Sequence, residues 1–165
     1  VGDTSVHEYP TSEQMAEMAI STARVVRLFG FDPKVAFVSH STFGQPLTSR
    51  TKHIRKAVDI LKEKKVDFEF DGDMQPDVAL NPEYEELYPF SKIVGKANIL
   101  IMPGQHSAAI SYKMMKTFGD TKVIGPLLIG LELPIEIAPL RSSTSELINL
   151  ASIAAYSADV IDYKK

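Results

Sequence analysis

At 165 residues and 18.2 kDa the chain is long enough for one sizeable core, and a composition 44% hydrophobic and 24% charged is globular rather than disordered. Eighteen Lys and Arg against 21 Asp and Glu leave a formal charge of −3 and no broad basic surface, which speaks against bulk nucleic-acid binding. The longest apolar stretch, 123–131, is broken by Gly125, Pro126 and Gly130 and is too short to cross a bilayer, and the absence of cysteine removes disulfides and thiolate metal sites.

Thr11-Ser12-Glu13-Gln14 has the spacing of a capping box, and the apolar positions Met15, Met18, Ala19, Val25, Val26 and Phe29 predict a helix over about 13–29, closed by Gly30. After Asp32-Pro33, the β-branched and aromatic run 35–39 reads as a buried strand. A polar turn over 40–47 leads to a helix over about 51–64, with Ile54, Ala57, Val58 and Leu61 on its inner face. A short strand follows at 68–70, then largely irregular chain over 81–92 with one helical turn at most. The continuous apolar run 97–102 is typical of a central parallel strand, and 107–118 reads as helix. The last strand candidates are 123–124 and 135–137. The chain closes on a helix over about 144–158 with an inner stripe of Leu147, Leu150, Ala151 and Ala154. This alternation predicts an α/β layered domain (α/β/α) with a mostly parallel sheet, whose ligands would sit beyond the carboxyl ends of the strands, at the 39–45, 71–76 and 103–107 turns.

Asp67, Glu69 and Asp71 before Gly72 mimic the start of a calcium loop, but the twelfth position, where such a loop needs a bidentate Glu, is Val78. A strand with acidic residues on its wet face is the competing reading, and no other cluster has metal-ligand spacing, so no metal is expected. The four histidines (His7, His40, His53 and His106) lie far apart and read as solvated or hydrogen-bonded. The turn Ser39-His40-Ser41-Thr42-Phe43-Gly44-Gln45, followed by Arg50, Lys52, His53, Arg55 and Lys56, can hold a phosphate or carbonyl oxygen, or can be a capped connection with a solvated basic face. It is no Walker loop. Glu146 is either a general base or the distal half of the capping box Ser143-Thr144-Ser145-Glu146. Arg141, just before that helix, meets an anion there or is a plain surface residue.

Several runs carry a resemblance that spans essentially the whole chain in order. Asp71-Gly72-Asp73-Met74-Gln75-Pro76-Asp77, Gly95-Lys96-Ala97-Asn98-Ile99-Leu100-Ile101-Met102-Pro103 and Gly125-Pro126-Leu127-Leu128-Ile129-Gly130-Leu131 resemble the phosphate acetyltransferase family, as do Ser39 to Gly44 and Ile110-Ser111-Tyr112-Lys113. His106-Ser107-Ala108, the run on to Met114, and Asn149-Leu150-Ala151-Ser152-Ile153-Ala154-Ala155-Tyr156 look most like the C-terminal phosphotransacetylase-like domain of bacterial NADP-dependent malic enzymes. The resemblance implies the phosphotransacetylase fold, similar to isocitrate and isopropylmalate dehydrogenases.

Active phosphotransacetylases move an acetyl group between phosphate and the thiol of coenzyme A. A thiol of pKa near ~8.5 wants a base, and the phosphate and developing oxyanion want cationic donors. The family supplies these from a Ser-Arg-Gly-Cys-Ser-x-x-Asp run leading into the last helix. Aligned on Leu147-Ile148-Asn149, Glu146 stands for the Asp, Pro139 for the Ser and Leu140 for the Arg, while Arg141 falls one position late. Neither Pro nor Leu can donate a side-chain hydrogen bond, and losing one such donor typically costs ~100- to 1000-fold in rate. Ile129 where Gln is usual, Ala109 where Asn is usual, and Gln45 at the end of the hydroxyl-rich turn depart in the same direction.

The resemblance therefore implies a catalytically silent regulatory and oligomerisation module of a malic enzyme. Residues 1–165 would be the later part of a phosphotransacetylase-like domain in a longer multidomain chain, a reading that a first residue of Val rather than Met agrees with. Acetyl-CoA is the expected inhibitor, with contacts at Ser41, Thr42, Gly44, His106, Ser107, Lys113, Arg141 and Glu146. NADP and a divalent metal would belong to the malic enzyme domain of the same chain. The other partners expected are further copies of the chain, as a homodimer or higher homo-oligomer, with no nucleic acid and no membrane. The expected location is cytoplasmic. The alternatives are a working phosphate acetyltransferase, with Glu146 as base and Arg141 as anion clamp, and a purely structural oligomerisation module.

Overall fold

The computed structural model describes residues 1–119, 121–131 and 133–160. The chain divides into two compact units, Val1–Tyr112 and Lys113–Lys165.

The first unit is built on three parallel strands, β1 (Lys34–Val38), β2 (Glu69–Met74) and β3 (Ile99–Ile101), in the order β2-β1-β3. The α/β class and the parallel sheet are as expected. β1, not β3, is the central strand: Val35 lies opposite both Phe70 and Ile99, and Phe37 opposite both Gly72 and Ile101. Among the described residues, the outer side of β3 carries an isolated bridge from Gly2, whose amide donates to the Leu100 carbonyl at 2.9 Å. An apolar run fixes that a strand is buried and not its rank in the sheet.

Helices α1 (Ser12–Leu28) and α2 (Ser49–Lys64) pack together on one face of the sheet. Each opens with a reciprocal cap. Thr11 accepts from the Gln14 amide while the Gln14 side chain accepts from the Thr11 amide, and Thr48 and Thr51 do the same for α2. Met15, Ala16, Ala19 and Ala23 of α1 meet Ile54, Ala57, Val58 and Leu61 of α2 over Val35, Phe37, Ile99 and Ile101. The alanines let α1 approach closely, and each large side chain buried there contributes about 1.5–3 kcal/mol. The α2 stripe is as expected. In α1, Phe29 is the C-cap and is exposed, because the helix ends one residue earlier, at Leu28, and Gly30 (φ +82°) turns the chain away.

β2 is longer than expected and differs in character: Asp71 is buried rather than on a wet face, and Asp73, further along the strand, is buried too. Both oxygens of Asp71 are engaged, by the Gly72 amide at 2.9 Å and the Lys92 amide at 2.8 Å, so burial is offset by hydrogen bonds. Gly72 is required here. At φ +147° a Cβ would stand 2.7 Å from the Phe37 carbonyl oxygen and 2.8 Å from its Cβ. Helix α3 (Pro76–Leu80), absent from the sequence reading, starts with Pro at its first position and Asp77 next, a helix-start signal, and a 3-10 turn, Pro82–Glu86, follows. Met74, Ala79, Ile93 and Ala97 pack with Ala36 in a second apolar cluster. A third, of Val38, Met102 and Ala108, ties the start of α4 (Gln105–Phe118) to the carboxyl ends of β1 and β3.

The boundary between the units falls inside α4. The second unit holds the end of α4, a connection whose described residues form neither helix nor strand, and α5 (Thr144–Val160). Segments 123–124 and 135–137 are not strands. A strand needs a neighbour to complete its hydrogen bonds, and the described residues of this unit offer none; the Leu128 amide donates instead to the Glu136 carboxylate at 3.2 Å. Burial raises the pKa of the Glu136 carboxyl above the ordinary carboxylate value, with the Leu128 bond opposing it. Of the expected inner stripe of α5 only Leu150 is buried; Leu147 and Ala151 are exposed and Ala154 is half-buried.

Candidate functional site

The turn after β1 lies beyond the carboxyl end of the central strand, where ligands of parallel sheets bind. It is knitted into the protein from several sides. The Ser39 amide donates to the Met74 carbonyl at 2.9 Å, the Phe43 amide to the Asp73 carbonyl at 2.6 Å, and Thr42 and Gln45 bond each other's carbonyls. The Thr42 hydroxyl accepts from the Gln75 amide at 3.2 Å, and the Gln75 side chain donates to the His40 carbonyl at 2.9 Å. The Ser41 amide donates to the Ser39 hydroxyl, and the Ser41 hydroxyl donates to Oδ2 of Asp73. Most of the turn's amides are thus spent internally, so any anion met here is held by side chains and not by a cradle of free N–H groups.

Asp73, which the sequence gives no role, and Arg55, which it shows only as one of a basic run, complete this corner. Asp73 is 0% exposed, and its Oδ1 is, among the described residues, a buried side-chain oxygen with no hydrogen-bond partner. Arg55 reaches down from α2 to place Nη1 4.0 Å from that oxygen. Gly44 has φ +83°, and a Cβ on it would lie 2.9 Å from the same Nη1, so the guanidinium sits against bare backbone. An acidic residue at the carboxyl end of a parallel strand, next to a hydroxyl-rich turn, was the signal available for Asp73. On the other cluster of this unit, the Phe43 ring packs against Tyr88 (5.5 Å between centroids) and edge-on to Phe90 (4.8 Å), and Phe90 is largely exposed.

His106 and Ser107 stand in the first turn of α4, beside the same edge. The Ser107 hydroxyl donates to the Gly104 carbonyl at 2.8 Å, closing the helix start. The N-terminal segment crosses here: the Gln105 amide donates to the Glu8 carbonyl at 3.4 Å, and Glu8 Oε1 lies 3.8 Å from His106 Nε2. Two other histidines are bonded structurally. His7 and three amides, of Ser5, Val6 and His7, converge on Asp3; burial alone would raise that carboxyl, and these bonds hold it below its ordinary value. His53 bonds the Pro10 carbonyl and Ser12. No group of three or more His, Asp or Glu suited to a metal ion occurs among the described residues.

Lys113, Arg141 and Glu146 belong to the second unit. A shallow hollow there is lined by Val123, Gly125, Pro139, Ser142, Glu146 and Asn149. Pro139 thus lines it, Leu140 projects fully into solvent, and Arg141 is exposed in the same turn. Glu146 closes the capping box of α5. Its Oε2 accepts from the Ser143 amide at 2.8 Å and the Ser143 hydroxyl at 2.9 Å, and its Oε1 from Lys116 Nζ at 3.2 Å. The amide and hydroxyl of Ser143, then Lys116, hold this carboxyl at about 2.

The sequence description of phosphate acetyl/butaryl transferases matches residues 1–155. The chain is 49% identical over 158 residues to an NADP-dependent malic enzyme of Rhizobium meliloti, covering 96% of this chain and 21% of that protein. It is 34% identical over 157 residues to a phosphate acetyltransferase of Bacillus subtilis, covering 94% of this chain and 49% of that one. A phosphotransacetylase structure from Streptococcus pyogenes superposes with a TM-score of 0.90 at 34% identity, over 95% of this chain and 48% of that chain. The chain therefore spans about a fifth of that malic enzyme and about half of those transferases. With a matching description over nearly its whole length and a shared fold, the chain belongs to the phosphate acetyl/butaryl transferase family.

Proposed function

We propose that this phosphotransacetylase-like chain is the regulatory module of an NADP-dependent malic enzyme, that it binds acetyl-CoA without transferring the acetyl group, and that it passes inhibition to malate oxidation elsewhere in the protein. The observation that carries the reading is the state of Glu146. Its oxygens are taken up by the Ser143 amide and hydroxyl and by Lys116, so the carboxylate is engaged as a helix cap, and that bonding holds it below its ordinary value and weakens it further as a base for making thiolate. Pro139 and Leu140, where active relatives carry donors, support the same reading, because neither side chain can stabilise a developing oxyanion.

The carboxyl edge of the first unit supports retained binding. A partly exposed guanidinium stands at the turn, and the Phe43–Tyr88–Phe90 rings offer an aromatic surface of the kind on which an adenine ring stacks. Ser41, Thr42, Gly44, His106 and Ser107 are the ligand contacts proposed within the first unit, and Lys113, Arg141 and Glu146 those proposed within the second. Coupling requires that acetyl-CoA bind two states of the protein unequally. NADP and a divalent metal belong, in this reading, to the malic enzyme domain, and the whole acts in the cytoplasm; no helix among the described residues is long and apolar enough to cross a membrane. Assembly into a homodimer or higher homo-oligomer is part of the proposal, supported by the exposed Leu133, Ile135, Ile148 and Tyr156 of the second unit.

The test is acetyl-CoA formation from acetyl phosphate and CoA by the full-length protein, beside malate oxidation with and without acetyl-CoA. Transfer at background, unchanged in Glu146→Gln, together with inhibited malate oxidation, is the expected outcome. Turnover that Glu146→Gln abolishes makes the protein a working transferase. Malate oxidation indifferent to acetyl-CoA leaves assembly as the module's role.

A further inference from the structure

We infer that Arg55 is an anion-binding residue, held at the 41–45 turn by the buried carboxylate of Asp73, and that the group it takes is a phosphate-type oxyanion. This rests on the reading that the carboxyl edge accepts an acyl-CoA, and adds which side chains meet the ligand's charge.

Asp73 is fully buried with one oxygen satisfied by Ser41 and the other unpaired. Buried polar atoms are nearly always paired, so an orphaned carboxylate oxygen marks a place where a donor is due. The cation facing it is Arg55, whose Nη1 at 4.0 Å is just beyond hydrogen-bond reach. A guanidinium offers five donors in a planar fork, and one carboxylate oxygen at its back uses few of them. The side chain is 46% exposed, so other donors face solvent. Gly44 lets the guanidinium lie close against the turn, since a Cβ there would stand 2.9 Å from Nη1.

The surroundings favour an anion. The first turn of α2 contains no acidic residue and presents Arg50 and Lys52. The arrangement is a guanidinium with a fixed negative charge behind it and an uncovered face ahead, which matches the paired oxygens of a phosphate. Free phosphate and the phosphate groups of CoA share that chemistry, and separate titrations distinguish them.

Calorimetric titration of the full-length protein with inorganic phosphate, and separately with acetyl-CoA, tests the inference. Arg55→Ala should weaken one or both by about 10- to 100-fold, with Arg55→Lys recovering part of the loss. Loss for acetyl-CoA alone identifies the CoA phosphates as the group bound, and loss for phosphate alone identifies the free ion. Asp73→Asn should weaken binding by about 3- to 10-fold, although it removes a negative charge beside an anion. That sign separates a positioning carboxylate from a bystander, and tighter binding in Asp73→Asn would overturn its positioning role. Should the Asn variant fail to fold, the two Arg55 variants, at a half-exposed side chain, carry the test, with Lys62→Ala at the far end of α2 as a control within about 2-fold. Wild-type binding of acetyl-CoA that Arg55→Ala leaves within about 2-fold for both ligands overturns this inference and spares the proposed function. No binding of either ligand by the wild type overturns both.

Discussion

In the first unit Met15, Phe37, Ile54, Leu61, Ile99 and Ile101 are 2% exposed or less, whereas Leu150, at 5%, is the one buried residue among those described in the second. The amounts of apolar sequence do not explain the contrast. In the first unit the apolar stripes of α1 and α2 face each other across a sheet whose strands supply alternate side chains to the same cluster. In the second, α5 is apolar around most of its circumference and leaves Leu147, Ile148 and Tyr156 about half exposed or more. A helix of that kind belongs inside a larger core. The same contrast runs through the two sets of site residues. Those of the first unit stand on a packed strand end and the first turn of α4, and those of the second stand on the end of α4, in an exposed turn and in a helix cap.

Core truncation separates the units most sharply. Phe37→Ala should cost about 3–5 kcal/mol, because a fully buried aromatic leaves a cavity under both helices, while Ile148→Ala, already largely exposed, should stay within about 0.5 kcal/mol. Denaturant unfolding of the full-length protein reads both, and a cost for Ile148→Ala equal to that of Phe37→Ala would erase the distinction.

A smaller effect is expected at the caps. Thr48→Ala removes the hydroxyl that accepts from the Thr51 amide and should cost about 1 kcal/mol, seen as a lowered unfolding midpoint. No change on substitution would mean that α2 is fixed by its packed stripe alone.

The weakest effect is a pH dependence that the two units share. Lys56, at 2.8 Å, lowers the carboxyl of Glu13 to about 2, and Ser143 followed by Lys116 lowers that of Glu146 to about 2. Because both are depressed below the ordinary value of 4.5, their contribution is complete above pH 4.5 and is lost as the pH falls towards 2. Carboxyl chemical shifts followed from pH 6 down should show both midpoints near 2. A Glu146 midpoint near 4.5 would free it from its cap and reopen a role as base.

Local chemistry made much of this legible in advance. The caps at Thr11 and Ser143, the inner stripe of α2 and the left-handed Gly30 each follow from a few adjacent residues, and each forms as read. What escaped depends on distant partners. Asp71 reads as solvated because its buried partner, the Lys92 amide, lies 21 residues away, and the burial of Asp73 goes unread because its partner, the Ser41 hydroxyl, lies 32 residues away. Segments 123–124 and 135–137 have strand-forming side chains but no neighbouring strand among the described residues, and period alone does not reveal that. Arg55 was visible as part of a basic run, and only the fold sets it, rather than Arg50 or Lys56, against Asp73; Lys56 is drawn off to Glu13.

The central claim is that a phosphotransacetylase-like chain retains its ligand while lacking the groups for its chemistry. Calorimetric titration of the full-length protein with acetyl-CoA tests it most directly: saturable binding in the micromolar to submillimolar range, with the acetyl group recovered intact on CoA, is the expected result. No heat of binding at millimolar acetyl-CoA, or recovery of free CoA with acetyl phosphate when phosphate is present, would contradict it.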